Sequence, residues 1–341
     1  MERTTVHRIG LAGAAVVTVL VVGALVLRAI SGSAPAPSSA AVDRAGPAGS
    51  QAVDEAIKLA KERMLEERPD QAEKVLRDAI LRRPNNADLR IKLGETLIAQ
   101  DRPRDAYEQY NEAIGLSPDS AELNFAAGTL ASMTGLIDRA AKHYQLAQQL
   151  DPTNPKYPLY LGQIQRKLGR FDEARASLLR TTALDPDLAV AWGALADLSL
   201  ESGSLEMASH YVDKALAIAP ASSNWRLIEA RILRRKGEPE KAAVLLKAIA
   251  QEQATPDPMI LREQALCYGL LGRKEDAAAL YDRAVEIGHP DPKTLGELNY
   301  EAALWHERLG QNAQALTCAT RAVELGDERA KRVVERLSAG G

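Results

Sequence analysis

The sequence predicts an all-α chain of stacked helical hairpins, and three spacings carry that prediction. An alanine recurs every 34 residues, at Ala72, Ala106, Ala140, Ala174, Ala208 and Ala242, with Ala277 and Ala315 following at 35 and 38. A second small residue stands seven further on at Ala79, Ala113, Ala147, Ala215, Ala284 and Ala322, with Thr181 and Ile249 in the other two repeats. Glycine and proline punctuate the same period. Self-similarity at this length marks a repeat array, whose units bury a face only against their neighbours.

The spacing of seven is two helical turns, so both small residues face one way and let a neighbouring helix come close. Large residues one turn past the first alanine fill the gaps: Leu76, Tyr110, Tyr144, Leu178, Leu246 and Tyr281. Five residues before the alanine stands glycine, at Gly135, Gly169, Gly203, Gly237, Gly272 and Gly310. It supplies the left-handed residue that ends a helix. Twelve before comes Gly94, Gly128, Gly162, Ala196, Ala230, Ala265 or Ala303. Twelve after comes Pro84, Pro118, Pro152, Pro186 or Pro220, read as the start of the next helix, where no N–H partner is needed.

These residues resemble the tetratricopeptide repeat family. The stretch Ala189–Pro220 displays the pattern, with Trp192, Leu195, Ala196, Gly203, Ala208, Tyr211, Ala215 and Pro220 in place. The resemblance covers residues 53–326 and implies a right-handed superhelical solenoid. Eight repeats begin near Val53, Ala87, Ala121, Pro155, Ala189, Ser223, Pro258 and Gly296. The first lacks both glycines, as suits a terminal cap, and residues 327–341 read as a C-terminal capping helix and tail.

Ahead of the repeats, after a short flank at 1–8, residues 9–27 are nineteen without a charge. That length spans a bilayer core as a helix and exceeds the apolar stretch of a cleaved signal peptide. One transmembrane anchor is therefore expected, with a cleaved signal as the alternative. Arg3 and Arg8 before it balance Arg28 and Arg44 after it, so the positive-inside rule does not orient it. A short N-terminus with an exported body favours repeats outside the cytoplasm of a bacterial inner membrane. The Ala/Pro/Ser-rich linker at 28–52 reads as a tether.

The formal net charge of −3 gives no ground for nucleic-acid binding. No nucleotide, protease or hydrolase motif is present, and the repeats leave no room for a catalytic domain, so no enzyme is expected. Cys267 and Cys318 form no CxxC pair and no zinc ligand set; they read as small core residues, and no metal or cofactor is expected.

The resemblance implies that first helices line a concave groove. Carried onto this chain, the groove candidates are Phe125 and Met133 in the third repeat, and Lys156, Leu159, Arg166 and Lys167 in the fourth. The sixth adds Leu227, Arg231, Arg234 and Arg235. Basic residues among apolar ones suit a protein segment rich in acidic residues. The positions that would clamp a C-terminal carboxylate hold Phe125, Ala126, Leu159 and Tyr160, so that mode is not expected. Second helices, with Gln145, Gln148 and Gln149, offer a rival face for self-association. The expected function is a non-enzymatic, membrane-anchored scaffold for an envelope or secretion complex. Accessory roles in polysaccharide or cell-wall export, or in cytochrome c maturation, are the alternatives.

Overall fold

The computed structural model describes residues 47–339. The uncharged stretch 9–27 and most of the linker lie outside the described residues. Among those described, no helix is long and apolar enough to cross a membrane. The chain forms two compact units, divided between Pro186 and Asp187.

The first unit contains α1 (Pro47–Leu65), α2 (Pro69–Arg82), α3 (Ala87–Ala99), α4 (Pro103–Leu116), α5 (Ala121–Met133), α6 (Ile137–Leu150), α7 (Lys156–Lys167) and α8 (Phe171–Leu184). The second contains α9 (Ala189–Glu201), α10 (Leu205–Ile218), α11 (Ser223–Arg235), α12 (Pro239–Glu252), α13 (Pro258–Leu270), α14 (Lys274–Ile287), α15 (Pro292–Arg308) and α16 (Asn312–Glu324). A 3-10 turn at Glu328–Ala330 and α17 (Lys331–Ala339) follow. Within each unit every odd-numbered helix up to α15 pairs with the next as an antiparallel hairpin, and successive hairpins stack. The fold is thus an all-α array of stacked hairpins.

The period-34 alanines show why. Ala72, Ala106, Ala140, Ala174, Ala208, Ala242, Ala277 and Ala315 are all fully buried. Across the later hairpins of the first unit, bulk is matched to its absence. An ideal Cβ on Gly94 would lie 2.6 Å from the Tyr110 ring, and one on Gly128 would lie 2.8 Å from the Tyr144 ring. The small residue is what lets the tyrosine lie flat against the partner helix.

Each hairpin turns through one left-handed residue, followed by a backbone bond that closes the helix end. Gly135 has φ 78°, and Leu136 N–H then donates to the Ala131 carbonyl at 2.8 Å. The first two hairpins make the same turn without glycine: Glu67 and Asp101 both hold φ 57°.

Two sequence expectations need correction. Pro84, Pro118 and Pro152 lie in the loops and do not open helices; the helices that follow begin at Ala87, Ala121 and Lys156. Asn86 and Ser120 cap the first two of these, accepting from Leu89 N–H at 2.9 Å and Leu123 N–H at 3.2 Å. A side-chain cap needs an extended residue just before the helix, and the proline sits too early to be that residue. Prolines do occupy first-turn positions, but elsewhere, at Pro69, Pro103, Pro239, Pro258 and Pro292. The first helix also begins at Pro47, inside the stretch read as tether, and the last first-helix begins at Pro292, ahead of Gly296.

At the C-terminal end, Ala330 and Val333 are buried against Ala303, Ala319 and Ala322. The turn and α17 therefore cover the apolar face of the last hairpin.

Candidate interaction surface

In the first unit the first-helix faces of α1 and α3 enclose an apolar cleft of about 390 Å³. Ile57, Ala60, Met64 and Leu76 form its floor and walls, and Lys61, Lys92 and Glu95 stand around it. Lys92 Nζ donates to both Glu95 carboxylate oxygens at 2.7 and 2.8 Å, which leaves Lys61 as the exposed cation there. The cleft is lined from three helices, α1, α2 and α3. Sequence reading passed over it because it treated the first repeat only as a cap.

The groove candidates of this unit divide into two sets. Met133, Lys156 and Lys167 are exposed and Arg166 is half-buried. Phe125 and Leu159 are each only 7% exposed, so neither stands open on a surface. Phe125 packs its ring 5.0 Å from Tyr160, 5.4 Å from Tyr157 and 5.5 Å from Tyr144. An aromatic at this helix position reaches its own second helix and the next first helix, which close over it.

In the second unit the arginines of α11 have partners inside the fold. Glu263 on α13 is 5% exposed. Its carboxylate accepts from Arg231 Nε at 2.9 Å and from Arg234 Nη2 at 3.1 Å. Arg235 Nη1 donates to the Leu200 carbonyl on α9 at 2.5 Å. Leu227 is half-buried against the core of this region. The same stitching runs on: Arg262 on α13 grips Glu301 on α15 through Nε at 2.7 Å and Nη2 at 2.5 Å. The Tyr281 hydroxyl also donates to Glu301, at 2.9 Å. The Glu301 carboxylate raises the Arg262 pKa further, and burial raises that of the Tyr281 phenol. Arg336 on α17 pairs with Glu307 on α15 at 2.7 Å. Sequence reading could name the arginines; their acidic partners lie one hairpin away and are visible only in three dimensions.

The second-helix side of the first unit carries a polar hollow of about 450 Å³ between α4 and α6, lined in part by Arg104, Glu108, Asn111 and Arg139. Beneath it the Tyr107 hydroxyl lies 3.2 Å from His143 Nε2, and His143 Nδ1 lies 3.3 Å from Asn124 Oδ1. Burial lowers the His143 pKa, and the nearby Arg139 charge adds to that. Gln145 and Gln149 are exposed and Gln148 is half-buried.

The cysteines are free. Burial pushes each thiol up to about 11, so both are neutral thiols at ordinary pH. Cys267 is fully buried core. Cys318 instead meets Asp282 and His306, whose ligating atoms all lie within 4.8 Å of one another. The three come from three helices, so no sequence spacing announced them.

Three tetratricopeptide repeat models match the chain, over residues 63–129 and 131–198, 189–222, and 225–292. The chain belongs to the tetratricopeptide repeat family. Yeast Tom70 is similar in fold, with a TM-score of 0.59 at 16% identity, covering 94% of this chain and 69% of that one. A chain of the APC/C hetero-tetramer Cut9–Hcn1 gives 0.58 at 13% identity, covering 83% of this chain and 55% of that one. A tetratricopeptide repeat protein from Parabacteroides merdae ATCC 43184 gives 0.50 at 16% identity, covering 84% and 99%. At these identities the likeness is one of fold. A search of curated proteins finds no match. Tetratricopeptide repeats are protein-interaction modules and not catalytic ones, and the chain is a non-enzymatic scaffold of this kind.

Proposed function

We propose that the chain is a membrane-anchored scaffold of a bacterial envelope or secretion complex, and that it docks a partner protein on the first-helix face of its first unit. The observation that carries the docking reading is the apolar cleft between α1 and α3. A cleft of that size takes an apolar side chain or two from a partner segment. Exposed Lys61, Lys156 and Lys167 on first helices of the same unit favour acidic residues flanking that anchor. The second unit contributes less to recognition of acidic residues, because Arg231 and Arg234 already share Glu263. The uncharged stretch 9–27 supports the anchoring, and the composition of the linker supports a tether between bilayer and repeats.

The test is site-specific photocrosslinking of the full chain in native membranes. One probe replaces Lys61 beside the cleft, and a second replaces Gln145 on a second helix. Capture of one protein at position 61, lost when Met64→Glu is added, supports docking in the cleft. Capture of that protein at position 145 alone moves the interface to the second-helix face and refutes the proposal. Release of the chain from membranes by alkaline carbonate would refute the anchor independently.

A further inference from the structure

We propose that Asp282, His306 and Cys318 form a binding site for a single zinc-class divalent ion that pins the hairpin α13–α14 to the hairpin α15–α16. Asp282 lies on α14, His306 on α15 and Cys318 on α16, and one atom from each falls within a 4.8 Å cluster. A carboxylate oxygen, an imidazole nitrogen and a thiolate sulfur together suit zinc better than calcium or magnesium, which prefer oxygen alone. Three protein ligands with a fourth position open to solvent is a familiar zinc arrangement.

The geometry of His306 is the second observation. The ring is 4% exposed, yet both nitrogens face oxygen acceptors. Nδ1 lies 2.7 Å from Gln311 Oε1, and Nε2 lies 2.7 Å from Asp282 Oδ1. The turn after α15 fixes Gln311, whose N–H donates to the His306 carbonyl at 2.9 Å. An Nδ1–H donated to the Gln311 oxygen leaves Nε2 as the ligating nitrogen, the outer support that metal-bound histidines usually have. The facing Nε2 and carboxylate oxygen, 2.7 Å apart, have room between them for either a shared proton or, once they separate slightly, a metal ion.

Binding requires small adjustments. Two light-atom ligands on a tetrahedral zinc stand about 3.3 Å apart, and sulfur stands about 3.6 Å from nitrogen. The Asp282 side chain is 52% exposed and can back away from the ring, while Cys318 draws in. Ion entry displaces the proton between His306 and Asp282 and the thiol proton of Cys318, both to solvent. A thiolate, a carboxylate and a divalent ion sum to zero charge, which suits a partly buried place.

Cobalt(II) titration of the reduced full-length chain tests the site. One equivalent should produce a thiolate-to-cobalt charge-transfer band and tetrahedral visible bands, both bleached by zinc. Cys318→Ser should abolish the charge-transfer band, and Cys267→Ser should leave it intact. Asp282→Asn, a substitution at an exposed residue that keeps the helices formed by circular dichroism, should weaken binding at least about tenfold. Absence of the band in the wild type, its survival in Cys318→Ser, or unchanged affinity in Asp282→Asn overturns the proposal and leaves His306–Asp282 as a hydrogen-bonded pair alone.

Discussion

Replacing Gly94 by alanine sets two known effects against each other. In an open helix the change stabilises by about 1 kcal/mol, because alanine restricts the unfolded chain. Here the new Cβ would meet two Tyr110 ring carbons at 2.6 and 2.8 Å. Carbon atoms pack at about 3.5–4.0 Å, so the overlap is near 1 Å. The Tyr110 ring is fully buried and has no room to swing away. Overpacking of this kind costs about 1–3 kcal/mol, which the helix-propensity gain of about 1 kcal/mol reduces to a net loss of up to about 2 kcal/mol. Gly115 gives the control: it lies exposed in α4 and a Cβ there would meet nothing within 4 Å. Gly115→Ala should therefore gain up to about 1 kcal/mol. Urea unfolding followed by helical circular dichroism reads both. Adding Tyr110→Leu to Gly94→Ala should recover much of the loss, since the hairpin α11–α12 pairs Ala230 with Leu246 at the same spacing. A Gly94→Ala protein as stable as Gly115→Ala would refute the steric account.

Three further outcomes follow from single features. Glu67→Gly and Asp101→Gly should each raise stability by about 0.5–1 kcal/mol in the same urea assay, because both residues hold a left-handed backbone at φ 57°. Glu263→Ala should cost about 1–3 kcal/mol by thermal unfolding, because it strands Arg231 and Arg234 at once. His143, ordinarily near 6.5, is lowered in the fold, so the unfolded chain takes up its proton first as the pH falls. Stability from this site should be complete above about pH 6.5 and decline as pH drops toward the lowered value; His143→Gln should flatten that slope in unfolding measured across pH.

What the sequence disclosed depended on how local the signal was. The alanines that let helices approach were legible, and all eight are buried, because close packing at a fixed period leaves its mark on residue size. The turn glycines were legible for the same reason, whereas Glu67 and Asp101 were not, since nothing about an acidic residue announces a left-handed backbone. The loop prolines were placed at the right period and given the wrong task. The surface was harder. Counting helix positions put Phe125 and Leu159 on an open face, but both are buried, Phe125 among the neighbouring tyrosines. The same counting found the α11 arginines and could not find Glu263, because a partner one hairpin away leaves no fixed spacing to look for.

The arginine–glutamate stitches of the second unit have a consequence for how such a chain can change over generations. A charge lost at Glu263 leaves two guanidinium groups without a counterion, and one lost at Glu301 strands Arg262. Neither end can drift freely while the other is kept. Substitutions here should be inherited as linked changes in adjacent hairpins, Arg231 and Arg234 with Glu263 and Arg262 with Glu301, and an alignment of descendants should display that covariation even where the alanines never vary.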